Sequence, residues 1–266
     1  MTDENFDIDR FSAIESIKES GIFIWSCLLD IYSFNFEYLL MTGQPEHIAR
    51  EIKAIRQLLP QGVELVAVSK FHPVDALRHA YDAGQRIFGE SRVQELLEKI
   101  PSLPDDIRWH FIGHLQTNKV KHLIGRVALI ESVDSERLLS LIDDLSEKAG
   151  VITHVLMQVH VAAEETKFGW TPDELIEFFA NRRFEQLKAV HIDGIMGMAT
   201  NTDDTGRIKA DFGQIAGVRR RILAIAPDLR GFDTVSMGMS DDFPLAIEQG
   251  STLVRIGTRI FGTREY

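Results

Sequence analysis

The chain has 266 residues, 44% hydrophobic and 26% charged, an ordinary globular composition with length for one barrel-sized domain. Its net charge of -11 sets a field that repels nucleic acid and anionic lipid, which excludes a polyanionic partner. Cys27 is the one cysteine, so neither an intramolecular disulfide nor a structural zinc set is available, and a cytoplasmic setting is expected.

Residues 1–42 differ from the rest of the chain. Eight acidic residues stand there against Arg10 and Lys18, so more than half of the excess negative charge precedes residue 43. Residues 21–41 form an apolar run with Ile22, Phe23, Ile24, Trp25, Leu28 and Leu29, but Asp30 and Glu37 interrupt it. The flank before it is acidic, which speaks against both a membrane span and a secretory signal. The segment is expected to pack on the domain as an extra helix or hairpin. A partner-docking or membrane-surface element is the alternative, and a physiological start at Met41 is a third reading.

From residue 43 onward the pattern is regular. Pro45 opens a helix whose Ile48, Ile52, Ile55 and Leu59 recur along one face, and Pro60-Gln61-Gly62 ends it. Eight short apolar strands are predicted at 64–69, 86–89, 108–112, 127–131, 154–161, 193–198, 234–237 and 253–256. Helices are predicted between them at 73–83, 92–100, 117–124, 135–149, 172–181, 205–226 and 241–249. Ser135-Glu136 and Thr171-Pro172-Asp173-Glu174 carry a capping hydroxyl followed by acids in the first turn.

Continuous apolar strands alternating with helices imply a parallel sheet covered on its outer face. Eight such units predict an α/β fold, a single (β/α)8 TIM-type barrel over residues 43–266 with an extra N-terminal segment over 1–42. An open doubly wound sheet is the alternative. It would prefer a GxGxxG turn after the first strand, where this chain has Lys70-Phe71-His72-Pro73.

In a barrel the strand ends share one mouth, so the candidate site groups are those that close the strands. Lys70 ends the first strand, a place suited to capturing an aldehyde, although a lone strand-end lysine is ordinarily a solvated charge. Glu90-Ser91, Gly113-His114 and residues 196–199 follow the second, third and sixth strands. Met239-Ser240 and Gly257-Thr258 follow the seventh and eighth, the usual phosphate loops of this architecture. Backbone N–H groups at helix starts attract a dianion through hydrogen bonds and the helix dipole. Asp241 and Asp242 would oppose a phosphate there, so their carboxylates are expected to point outward. Arg255 shares strand parity with Gly257 and is expected to face inward, where it needs either a heterocyclic nitrogen or a barrel acid such as Glu90.

Six stretches carry a family resemblance: Val66-Ala67-Val68-Ser69-Lys70, Ala83-Gly84-Gln85-Arg86-Ile87-Phe88-Gly89-Glu90, Trp109-His110-Phe111-Ile112-Gly113-His114-Leu115-Gln116-Thr117-Asn118-Lys119, Gly194-Ile195-Met196-Gly197-Met198, Ser236-Met237-Gly238-Met239-Ser240-Asp241-Asp242, and Val254-Arg255-Ile256-Gly257-Thr258. Residues 43–266 thereby resemble the pyridoxal 5'-phosphate homeostasis proteins, which share the barrel of the alanine racemase N-terminal domain. The resemblance implies that Lys70 holds pyridoxal 5'-phosphate as a Schiff base. It also implies that Ser240, Gly257 and Thr258 bind the phosphate, that Arg255 approaches the pyridine nitrogen, and that Met239 lines the site. Many members have Asn where this chain has Ser91, so Ser91 is carried as a substitute contact. Residues 1–42 have no counterpart in the family pattern.

Two function classes compete. In one, a monomeric, non-catalytic carrier shields the cofactor aldehyde and passes it to apo-enzymes in vitamin B6 homeostasis. In the other, the chain is a cofactor-dependent amino-acid racemase. Desolvation and a nearby Arg255 would lower the Lys70 pKa, as nucleophilic attack requires. An arginine cannot protonate the ring nitrogen, which makes the cofactor a weaker electron sink and favours holding it. Racemases resemble a longer chain whose C-terminal domain supplies a second base, and this sequence ends soon after the eighth unit, so the carrier is expected. His110 and His114 are read as hydrogen-bonded strand histidines, not metal ligands, and residues 164–167 as a solvated loop in which the family also places a lysine.

Overall fold

A computed structural model describes residues 45–163 and 168–263. The expectations for residues 1–42 and for the loop 164–167 lie outside these. The order of elements is α1 (Pro45–Leu58), β1 (Glu64–Val68), α2 (Val74–Asp82), β2 (Ile87–Glu90), α3 (Val93–Lys99), β3 (Arg108–Phe111), β4 (Leu129–Val133), α4 (Glu136–Ala149), β5 (Thr153–Val159), α5 (Pro172–Ala180), β6 (Val190–Gly197), α6 (Thr205–Ile225), β7 (Thr234–Ser236), α7 (Phe243–Glu248), β8 (Leu253–Ile256) and α8 (Thr258–Phe261). The eight strands are parallel and close in sequence order into a barrel, β8 returning to β1 with Ala67 opposite Ile256. The barrel expectation holds and the open sheet is set aside.

Two periodicities build the packing. In the strands, alternate side chains point outward to the helices or inward to the axis. Ala67, Phe88, Phe111, Ile130, Val155, Ile195, Val254 and Ile256 join the main core beneath the helices. Val66, Ile87 and Leu253 form one inward cluster, and Leu129, Leu156 and Met196 another. In the helices one face is buried: Ile48, Ile52 and Ile55 on α1, and Leu138, Leu139 and Ile142 on α4. Ser135 caps α4 through Leu138 N–H, and Thr171 with Glu174 forms a reciprocal capping box on α5.

Most boundaries shift by one or two residues from the sequence reading and the sixth strand starts three residues early, at Val190; three departures have a visible cause. The fourth strand runs over Leu129–Val133, not 127–131. Ser132 is fully buried, yet its hydroxyl donates to Gly113 O at 2.5 Å, so a polar residue continues the strand at no cost in unmade hydrogen bonds. Residues Thr117–His122 form a 3-10 turn where the sequence predicts an α-helix, because Val120 alone anchors that stretch to the core. The helix predicted at 241–249 begins at Phe243, since Asp242 turns back to serve the loop before it. No helix among the described residues is long and apolar enough to cross a membrane.

Candidate cofactor site

Lys70 lies just beyond β1 and is half-buried. Ser69 before it points outward, its hydroxyl donating to Glu90 Oε1 at 2.6 Å and its N–H to Gly89 O at 3.0 Å. The alternation of Val66 and Val68 therefore carries Lys70 toward the barrel axis. Phe71 after it has φ +67°, a left-handed backbone that a bulky residue adopts only under constraint. The constraint is visible. Phe71 N–H donates to Glu95 Oε1 at 2.5 Å and the Arg92 guanidinium lies 4.4 Å from the centre of its ring.

Both flanks of Lys70 rest on one buried cation. Lys99 Nζ donates to Ser69 O at 2.8 Å, to Glu90 Oε1 at 2.7 Å and to Glu95 Oε1 at 2.6 Å. Glu90 is fully buried and its Oε2 has no hydrogen-bond partner among the described residues. Burial accordingly raises the Glu90 pKa, against the opposing pull of Lys99 and the Ser69 hydroxyl.

The two turns follow β7 and β8 at the same end of the barrel as Lys70. The β7 loop is tied to β8 by Arg255 N–H donating to Gly238 O at 3.0 Å. Gly238 has φ +95°, and a Cβ there would sit 2.6 Å from the Ala246 methyl, so only glycine allows the turn to lie against α7. Gly257 lies close against β1, where a Cβ would lie 3.0 Å from Val68 O. Among the described hydrogen bonds none is made by Ser240 N–H or Gly257 N–H. These donors aim at no protein acceptor, the state of an anion cradle. Ser240 is half-buried, Thr258 exposed, Ser91 half-buried at the end of β2, and Met239 42% exposed beside a cavity of about 500 Å³ lined by Met198, Thr200, Asp203 and Leu245.

Asp241 is exposed, as expected, but the outward expectation for Asp242 is overturned. Its Oδ1 accepts from Met239 N–H at 2.5 Å. A carboxylate three residues along the turn is the acceptor that this N–H otherwise lacks, and that pull outweighs first-turn solvation.

Arg255 is 4% exposed and faces inward as predicted, but its acid is Glu131 and not Glu90, which lies outside the barrel with Lys99. Arg255 Nη1 donates to the Ser236 hydroxyl and lies 3.7 Å from Glu131 Oε2, while Nη2 donates to Gly197 O at 3.1 Å. Ser236 in turn donates to Glu131 Oε2 at 2.6 Å, and His110 Nδ1 to Glu131 Oε1 at 2.7 Å. Burial pushes the Glu131 carboxyl up, but the His110 hydrogen bond and charge, with Arg255 and Ser236, outweigh it and hold the pKa below the ordinary value. His110 is thus the hydrogen-bonded strand histidine that its spacing suggests. Glu131 is the site residue that sequence reasoning misses, though its strand parity with inward Leu129 is a signal of its direction.

The family model for the alanine racemase N-terminal domain matches residues 44–265, which fixes the class of the barrel and of its mouth. Within that class the chain belongs to the pyridoxal phosphate homeostasis protein family. It is 40% identical to the protein of that name from Aquifex aeolicus over 208 residues, covering 76% of this chain and 88% of the relative. The Schizosaccharomyces pombe protein of the same name is 39% identical over 211 residues, covering 77% and 85%. Among solved structures, PipY of Synechococcus elongatus PCC7942, with PLP bound, superposes with a TM-score of 0.75 at 38% identity, covering 81% of this chain and all of that one. Alanine racemase of E. faecalis superposes at 0.63 with 19% identity, a likeness of fold alone.

Proposed function

We propose that this chain binds pyridoxal 5'-phosphate and serves vitamin B6 homeostasis as a cytoplasmic, monomeric carrier for apo-enzymes, without catalysis of its own. The observation that supports this reading is that Lys70, at the end of β1, shares the barrel mouth with two glycine-shaped turns in which Ser240 N–H and Gly257 N–H make no described hydrogen bond. The family name of the relatives and the PLP bound to PipY support the same ligand.

When bound, the cofactor supplies an aldehyde that reacts reversibly with amines. This chain's residues account for the rest. Lys70 is the covalent anchor, held on both sides by the Lys99 cluster. Ser240, Gly257 and Thr258 take the phosphate, and Met239 and Ser91 line the approach. Arg255 would face the ring nitrogen, and its guanidinium, which donates only, would leave that nitrogen unprotonated. That arrangement would hold the cofactor without strengthening it as an electron sink, which suits carriage.

Purified protein is expected to be yellow, and Lys70→Ala to lose at least tenfold of the bound chromophore while keeping its circular dichroism. An equally coloured, dialysis-resistant Lys70→Ala protein would sink the anchor. Turnover of either alanine enantiomer by the purified chain would replace the carrier reading with the racemase.

A further inference from the structure

All strands are parallel, so the starts of β5 and β6 lie on the rim opposite Lys70. Three potential metal donors converge there. His154 and His191 are direct register partners across the β5–β6 pair. Asp193 follows at a register shift, where the pairing passes from Val155 opposite Ile192 to Leu156 opposite Gly194 and leaves Asp193 without a counterpart. Such bulges re-aim a side chain, and here the carboxylate meets both rings. His154 Nδ1 lies 2.8 Å from Asp193 Oδ1 and 3.0 Å from Oδ2, and His191 Nδ1 lies 2.5 Å from Oδ1. The donors of all three residues lie within 4.8 Å of one another. Gly231 makes room for this: it has φ +73°, and a Cβ there would sit 2.7 Å from His191 Cε1.

We propose that His154, His191 and Asp193 form a binding site for a divalent transition metal of the zinc class. Two imidazoles and a carboxylate are a recurring three-ligand set for such ions, with a fourth position left for water or an incoming ligand. A cation about 2.1 Å from each donor needs them roughly 3–4 Å apart, so the present hydrogen-bonded spacings open by about half to one ångström when a metal replaces the bridging protons. The side chains can give that: His154 and His191 are 47% and 43% exposed. In the metal-bound state the rings carry their protons on Nε2. The ion would pin the starts of two neighbouring strands and, binding the folded chain alone, raise its stability by mass action. The site lies at the opposite end of the barrel from Lys70 and is independent of the cofactor.

The test is titration of the full-length, cofactor-loaded protein with Zn2+ by calorimetry, and with Co2+ by visible absorbance. One equivalent per chain is expected, with a tetrahedral or five-coordinate Co2+ spectrum and a zinc-dependent rise in Tm. His154→Ala and His191→Ala should each weaken binding at least tenfold and abolish the Tm shift, with the Lys70 chromophore unchanged. Asp193→Asn, which keeps the side-chain volume, gives the same answer should a histidine variant fold poorly. Absence of saturable Zn2+ binding, or undiminished binding in His154→Ala/His191→Ala, overturns the proposal.

Discussion

Two buried ion clusters hold the two groups on which the cofactor reading depends, and they are built differently. Inside the barrel, Arg255 is fixed by Glu131, Ser236 and Gly197, and both Glu131 oxygens are hydrogen-bonded. Outside it, Lys99 grips Ser69 O before Lys70, Glu95, which accepts from Phe71 N–H after it, and Glu90, one of whose oxygens has no partner among the described residues. The first holds its carboxyl below the ordinary pKa and the second lets burial push its carboxyl above it. The same pair of charges can thus be locked or marginal, according to whether the remaining lone pairs are satisfied. Locked charge would suit the ring-facing role proposed for Arg255, and a cluster with a spare acid would suit the anchoring role proposed for Lys70.

The largest effect is expected from Glu131→Gln, which leaves Arg255 buried without its counterion. Loss of one partner of a buried pair costs about 3–5 kcal/mol, read from urea unfolding. A loss below about 1 kcal/mol, the size of one ordinary hydrogen bond, would show that the interior pair is not locked. Lys99→Met should cost less, because Glu90 can take up a proton in response. It should also loosen cofactor retention as the Ser69 and Phe71 flanks relax, and equal costs for the two variants would erase the contrast.

The smallest effect falls on Glu90→Gln, since Lys99 keeps Glu95, and it is put at about 1 kcal/mol. The pH dependence sharpens it. Glu131 has a depressed folded pKa, so its stabilisation is present above the ordinary 4.5 and lost as pH falls through the folded value. Glu90 has a raised one, so its contribution is present below 4.5 and lost as pH rises through the folded value. From acid to neutral pH, wild type should therefore gain on Glu131→Gln and lose ground to Glu90→Gln. Parallel profiles would contradict the opposite shifts.

The barrel was legible in the sequence because its strands are short apolar runs between capped helices, and period-two alternation then gave the inward side of Arg255. One feature that escaped it is local: Asp242 turns its carboxylate back three residues to Met239 N–H. The others depend on contacts between segments far apart in the chain, and the hydroxyl of Ser132 on the Gly113 carbonyl and the partnership of Arg255 with Glu131 leave no local trace. Nor does the left-handed Phe71 backbone, which Glu95 imposes from α3. The expected sites at Ser91, Met239, Ser240, Gly257 and Thr258 all fall at the mouth, because strand ends of a parallel barrel can go nowhere else.

The most direct measurement is borohydride reduction of the purified protein followed by peptide mapping of the modified lysine. A single pyridoxyl adduct on Lys70 is expected, with the visible absorbance lost on reduction. An adduct on another lysine, or reduction without any adduct, would contradict a covalent anchor at the end of β1.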